Sequence, residues 1–183
     1  MKYEIITLQD KQIIGMSREI PFKKGPEECP KFWDEYVEKI VKPVFKEGKT
    51  PDEFQQAAID NNVGEFGLCT CPLPNHDCMT CADFDFAVCG LKTFTYVIGG
   101  EYKGGKVPEG MKLYPVQNGR WLKIHFVGGM KAFQDQYAYF HEVWLRQHPE
   151  FKIAKNSFCI EWYAGTDIQS PDYQCGISFP LEG

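Results

Sequence analysis

Two periods of apolar residues alternate along the chain. Between Gln12 and Phe22, Ile13, Ile14 and Met16 around Gly15 predict a strand that ends at Pro21. After Gly25-Pro26, the residues Phe32, Trp33, Tyr36, Val37, Ile40 and Val41 recur at helical spacing, and Pro43 is expected to bend or end that helix. Thr50-Pro51-Asp52-Glu53 reads as a cap with proline in the first turn of a shorter helix reaching about Ile59. Asn61-Asn62-Val63-Gly64 then reads as a turn. Short apolar segments follow at Phe66-Gly67-Leu68 and Phe84-Asp85-Phe86-Ala87-Val88, and a clearer strand at Phe94-Thr95-Tyr96-Val97-Ile98.

The same order then returns. Trp121, Lys123, His125 and Val127 lie on one face of a strand and Leu122, Ile124 and Phe126 on the other, with Gly128-Gly129 ending it. Phe133, Tyr137, Phe140 and Trp144 form a helical stripe that stops before Pro149. Phe158 to Tyr163 reads as a strand, Gly165 to Asp172 as a turn, and Tyr173, Cys175, Ile177 and Phe179 alternate along a last strand. Strand, helix, strand, strand therefore occurs twice in one domain spanning residues 1–183, as repeat one over about 12–102 and repeat two over about 119–181. A Pro/Gly-rich joint near Gly104 to Gly110 separates the copies. The expected fold is α+β, with two strand-helix-strand-strand repeats whose antiparallel sheets surround a central ligand groove.

Composition sharpens this picture. Of the 183 residues, 43% are hydrophobic and 15% aromatic, more aromatic than a core of this size needs, and aromatic rings also wall pockets for flat organic molecules. A net charge of −5 without a Lys/Arg cluster argues against direct binding of nucleic acid and mildly favours cationic ligands. The N-terminus, Met1-Lys2-Tyr3-Glu4-Ile5-Ile6, lacks the apolar core of a signal peptide, and no window approaches eighteen apolar residues, so the expected protein is cytoplasmic and makes no use of a membrane. Its eight cysteines should then be mostly reduced.

Glu161 carries the candidate chemistry. It stands inside Phe158-Cys159-Ile160-Glu161-Trp162-Tyr163, and no basic residue lies between Asn156 and Thr166. A carboxylate among aromatics is paired with an internal cation, protonated, or left for a cation that a ligand brings. Trp121 and Tyr163 are the expected walls of a ligand site around it, with Tyr137 contributing from the helix, while Trp33, Phe140 and Trp144 read as core on amphipathic stripes. Cys69, Cys71, Cys78 and Cys81, with His76 between them, are compatible with zinc, with a reversible disulfide or with ordinary thiols, and the metal stays unassigned. Cys89, Cys159 and Cys175 read as small core residues. His125 and His141 have no cysteine beside them in sequence for a nucleophilic pair, and Gly99-Gly100 and Gly104-Gly105 lack the lysine of a phosphate cradle, so no cofactor is expected.

Five segments in order, Phe94 to Glu101, Val107 to Met111, Gly119-Arg120-Trp121, Val143-Trp144-Leu145 and Phe158 to Tyr163, resemble the GyrI-like small-molecule-binding domain. They are similar too to the effector-binding domain of bacterial multidrug-responsive transcription regulators. The resemblance covers about Gln12 to Pro180. It implies two strand-helix-strand-strand repeats enclosing an aromatic pocket, with a carboxylate at the position of Glu161 facing cationic or amphipathic aromatic ligands. Some stand-alone members resemble hydrolases that open strained cyclopropane-bearing compounds, for which Glu161 would be the base with Tyr163 beside it, and others are described as modulators of DNA gyrase. No helix-turn-helix precedes the repeats here, and a cysteine-bearing insertion interrupts the first.

Overall fold

The chain begins with β1 (Lys2–Leu8) and β2 (Gln12–Pro21) and continues into helix α1 (Gly25–Tyr36), which runs on in wider π-type turns over Val37–Lys46. Helix α2 (Glu53–Asp60) and strands β3 (Phe66–Thr70) and β4 (Thr93–Glu101) complete the first half. After β5 (Lys112–Pro115), the second half consists of β6 (Gly119–Val127), helix α3 (Met130–Tyr139), strand β7 (Cys159–Ala164) and β8 (Gln174–Pro180). Like α1, α3 continues in π-type turns, over Phe140–Trp144, before a last helical turn at Leu145–Gln147. The structure, a computed structural model, describes residues 1–70, 92–154, 158–165 and 167–183.

The eight strands of the described residues join in one antiparallel sheet, in the order β1-β6-β8-β7-β3-β4-β2-β5. Strands β2, β4 and β3 of the first repeat are mirrored by β6, β8 and β7 of the second, and the halves meet where β3 pairs with β7. The two sheets read from the sequence are therefore one continuous sheet. Strands β1 and β5 were not anticipated. Each extends an outer edge, β1 on β6 and β5 on β2.

Connectivity forces this sheet to curl. Strand β1 lies at one edge and β2 next to the other, which in a flat sheet would put them about 29 Å apart at ~4.8 Å per strand. The link from Leu8 to Gln12 reaches at most about 14 Å. Pro115 to Gly119 makes a second short crossing, and the Asp10 backbone N–H donates to Asn118 Oδ1 at 2.8 Å, tying the two links together. Residues from both edges consequently share one apolar cluster on the concave face, where Ile13, Leu68, Val97, Val116, Trp121 and Ile160 are buried. A cavity of about 320 Å³ opens on this face, lined in part by Ile6, Leu8, Phe66, Lys123, Ile160 and Trp162.

The helices cover the convex face, and each repeat has its own core there. Phe32, Tyr36 and Ile40 pack on Ile14, Ile20, Tyr96 and Ile98. Phe133, Phe140 and Trp144 pack on Leu122, Ile124, Phe126, Cys175, Ile177 and Phe179, so Phe140 and Trp144 are core as the stripe predicts. Pro43 does not end the first helix. Its missing N–H falls within the π-type turns, and Gln55 Nε2 of α2 braces that segment by donating to the Lys39 carbonyl at 2.8 Å. The same Gln55 forms a capping box with Asp52, which is the N-cap, so Pro51 stands just outside the helix rather than in its first turn.

Candidate functional site

Strand β7 alternates across the sheet. Ile160 belongs to the concave-face cluster, while Cys159 and Tyr163 pack with the second repeat's convex core. Glu161 shares the convex face with them and lies opposite Gly67 of β3 and Ile177 of β8, at the seam of the two halves. The glycine is a steric requirement. A Cβ at residue 67 would sit 2.4 Å from Tyr96 Oη and 2.6 Å from Glu161 Oε2.

Into that space the two hydroxyls converge. Tyr96 of β4 and Tyr163 of β7 each donate to Glu161 Oε2 at 2.7 Å. Trp33 Nε1 of α1 donates to Tyr96 Oη at 3.1 Å, so the chain of donors runs from the helix to the carboxylate. The Trp33 ring meets Tyr163 edge-on at 5.3 Å, and Phe133 of α3 lies 6.2 Å from Tyr163 and stacks on Tyr137 at 6.0 Å. One aromatic residue from α1 and one from α3 thus close over a carboxylate that is only 9% exposed.

Burial raises the pKa of Glu161 above its usual value, and the Tyr96 and Tyr163 hydrogen bonds, which favour the ionised form, oppose the shift. The same burial, with the nearby Glu161 charge, holds Tyr96 and Tyr163 protonated as donors. Tyr137 is likewise kept protonated, chiefly by burial, and it too senses Glu161. Burial pushes the Cys29 thiol on α1 up to about 12. Among the described residues no Lys, Arg or His forms an ion pair with Glu161. The arrangement is a desolvated acceptor with two fixed donors on one oxygen, an aromatic cover and no counter-ion among the described residues.

Of the residues expected from sequence, Glu161, Tyr163 and Tyr137 come together. Trp121 does not. Ile124 pairs with Ile177 and Ile177 with Glu161, which puts the even positions of β6 on the Glu161 face and the odd ones on the other. Trp121 therefore faces the concave side, packs against Phe158 and donates its indole N–H to the Gln117 carbonyl at 2.9 Å, anchoring the β5–β6 link. It is not a wall of the Glu161 site, a correction that follows from strand parity. Its place is taken by Trp33, which the stripe on α1 suggested was core. Tyr96 and Phe133 were not singled out, although Tyr96 has the aromatic alternation Phe94-Thr95-Tyr96 as a signal.

Cys71, His76, Cys78, Cys81 and Cys89 and the apolar segment Phe84 to Val88 lie outside the described residues. Among the described ones, no three His, Cys, Asp or Glu side chains cluster as metal ligands, and no helix is long and apolar enough to cross a membrane. Cys175 is buried and Cys159 half-buried, whereas Cys69 is the residue of β3 that faces Cys159 across the seam. His141, half-buried in the π-type turns that follow α3, has its pKa pushed down to about 4 by desolvation of its ring. His125 lies on the concave side near Glu4, 3.0 Å away, and Trp162.

Comparison with solved structures shows the same fold in proteins of low identity. SAV2435 bound to tetraphenylphosphonium is 17% identical, with a TM-score of 0.71 over 100% of this chain and 95% of that one. A candidate bacterial transcription regulation protein from Staphylococcus aureus MU50 is 17% identical, with a TM-score of 0.66 over 100% and 99%. An integron cassette protein from the mobile metagenome of Vibrio cholerae is 16% identical, with a TM-score of 0.55 over 98% and 95%. No curated protein matches the sequence. Residues 81–182 match the sequence profile of the GyrI-like small molecule binding domain, and the chain belongs to that family.

Proposed function

We propose that the seam beneath Trp33 and Phe133 is the ligand site and that it takes an amphipathic aromatic cation, with Glu161 as the counter-ion. The observation that carries this reading is a 9% exposed carboxylate receiving two tyrosine hydroxyls on one oxygen without an ion pair among the described residues. A delocalised cation suits it. Such an ion loses little hydration on entering an apolar site, and ring faces add cation–π attraction of roughly 0.5–2 kcal/mol per good contact. Tetraphenylphosphonium, the ligand of SAV2435, has this chemistry: a single charge spread within an aromatic shell. Entry requires the Trp33 and Phe133 rings to part, because they pack over Tyr163. The function is then sensing or sequestration of such compounds.

Calorimetric titration with tetraphenylphosphonium tests this. Binding should be measurable and weakened by about 1–3 kcal/mol in Glu161→Gln, the scale of a lost charge-assisted contact. Equal affinity for the two proteins would remove Glu161 from the site.

A further inference from the structure

Two half-buried thiols meet where the repeats are joined. Cys69 of β3 lies directly opposite Cys159 of β7, both on the convex face, and Cys159 is two residues from Glu161 on the same strand. Cys159 is the largest single influence keeping the Cys69 thiol protonated, ahead of burial, as expected for sulfurs in contact. We propose that Cys69 and Cys159 form a reversible cross-strand disulfide that staples the two repeats at the β3–β7 seam.

The ladder supplies the geometry. The Tyr163 N–H donates to the Glu65 carbonyl at 3.1 Å, and hydrogen-bonded and non-hydrogen-bonded pairs alternate from there. Two and four positions along, Gly67 with Glu161 and Cys69 with Cys159 are therefore hydrogen-bonded pairs, whose Cα atoms stand about 5.5 Å apart. Disulfides favour a Cα separation of about 5.5–6 Å, which this pair meets, and a small local shift brings its Cβ atoms to the roughly 3.5–4.5 Å that the bond needs. Among the described strands β3–β7 is the only pairing between the two repeats, and a bond there closes a loop that takes in β4, β5, β6 and α3.

The chemistry needs an oxidant of the small-molecule disulfide class. One cysteine, as thiolate, attacks a sulfur of the oxidant and expels one thiolate. The second cysteine then attacks the mixed disulfide and expels the other thiolate. The two protein protons end on the two released thiols, and the oxidant's disulfide is reduced as the protein's forms. Burial and the Glu161 charge both disfavour thiolate at Cys69, which makes the step slow and the reduced form the resting state under reducing conditions.

The test is incubation of the full chain with oxidised glutathione, followed by trapping of free thiols and peptide mapping by mass spectrometry. A peptide pair linking Cys69 to Cys159 is expected, lost on treatment with dithiothreitol, with a melting temperature higher by roughly 5–10 °C while the bond is intact. Cys159→Ala should remove both effects and Cys175→Ala neither. Mapping the wild type alone decides the matter if a variant fails to fold. Linkage of Cys69 to Cys29 or to a cysteine of residues 71–89, or both thiols remaining free while other cysteines oxidise, would overturn the proposal. None of these outcomes depends on tetraphenylphosphonium binding.

Discussion

At the scale of single residues, burying Glu161 without a cation sets stability against binding. Its pKa is raised in the folded protein. The folded state thus holds the proton more tightly than the unfolded chain, so the stability linked to this group is fully present below the unfolded value near 4.5 and is lost as pH rises through the higher folded value. Gln carries no charge at any of these pH values. Glu161→Gln should therefore be more stable than wild type at pH 8, by roughly 1.4 kcal/mol for each unit of the shift, with the difference shrinking towards pH 4. Urea melts at the two pH values check this, and a variant that is the less stable at pH 8 would contradict it. Gly67→Ala is expected to cost about 1–3 kcal/mol, because the methyl group would overlap Tyr96 Oη and the carboxylate. Glu161 was legible in the sequence because a lone carboxylate between aromatic positions is anomalous wherever the chain goes. Tyr96 was not, since its hydroxyl meets Glu161 across 65 residues of chain. Trp121 went to the wrong side for a related reason: alternation tells which residues share a face within one strand, and only the cross-strand register tells which faces coincide.

At the scale of elements, the two strand-helix-strand-strand units were legible because their stripes are long and their ends carry Gly or Pro. Strands β1 and β5 were missed because they are edge strands with exposed residues and little apolar alternation. The continuation of α1 beyond Pro43 was illegible for a different reason. Its support comes from Gln55, on another helix, whose side-chain amide donates to the Lys39 carbonyl. Gln55→Leu removes this bond together with half of the Asp52 capping box. The expected loss is about 1–2 kcal/mol of stability, with faster amide exchange in Val37–Lys46 than in α3. Unchanged stability and exchange would mean that the π-type turns hold by packing of Ile40 alone.

At the scale of the whole molecule, the repeats form one curled sheet with two different faces. Short links between opposite edges curl it, filling the concave side with a shared apolar cluster, and the β3–β7 seam brings one helix from each half over Glu161 on the convex side. The repeated element order was legible in the sequence alone, but the curl, which depends on strand order, was not. Nor could the sequence show that the carboxylate faces the helices rather than the cavity of about 320 Å³ on the other side.

The central claim, that Glu161 in its ionised form is the counter-ion for a bound organic cation, is tested most directly by the pH dependence of tetraphenylphosphonium affinity. A permanently charged ligand contributes no titration of its own, so the protein's group alone shapes the curve. Affinity should be constant at alkaline pH and should fall as pH is lowered through the raised pKa of Glu161, approaching tenfold per pH unit below it. In Glu161→Gln the curve should be flat over that range. A wild-type affinity that does not change with pH, or a fall of the same size in the variant, would contradict the account.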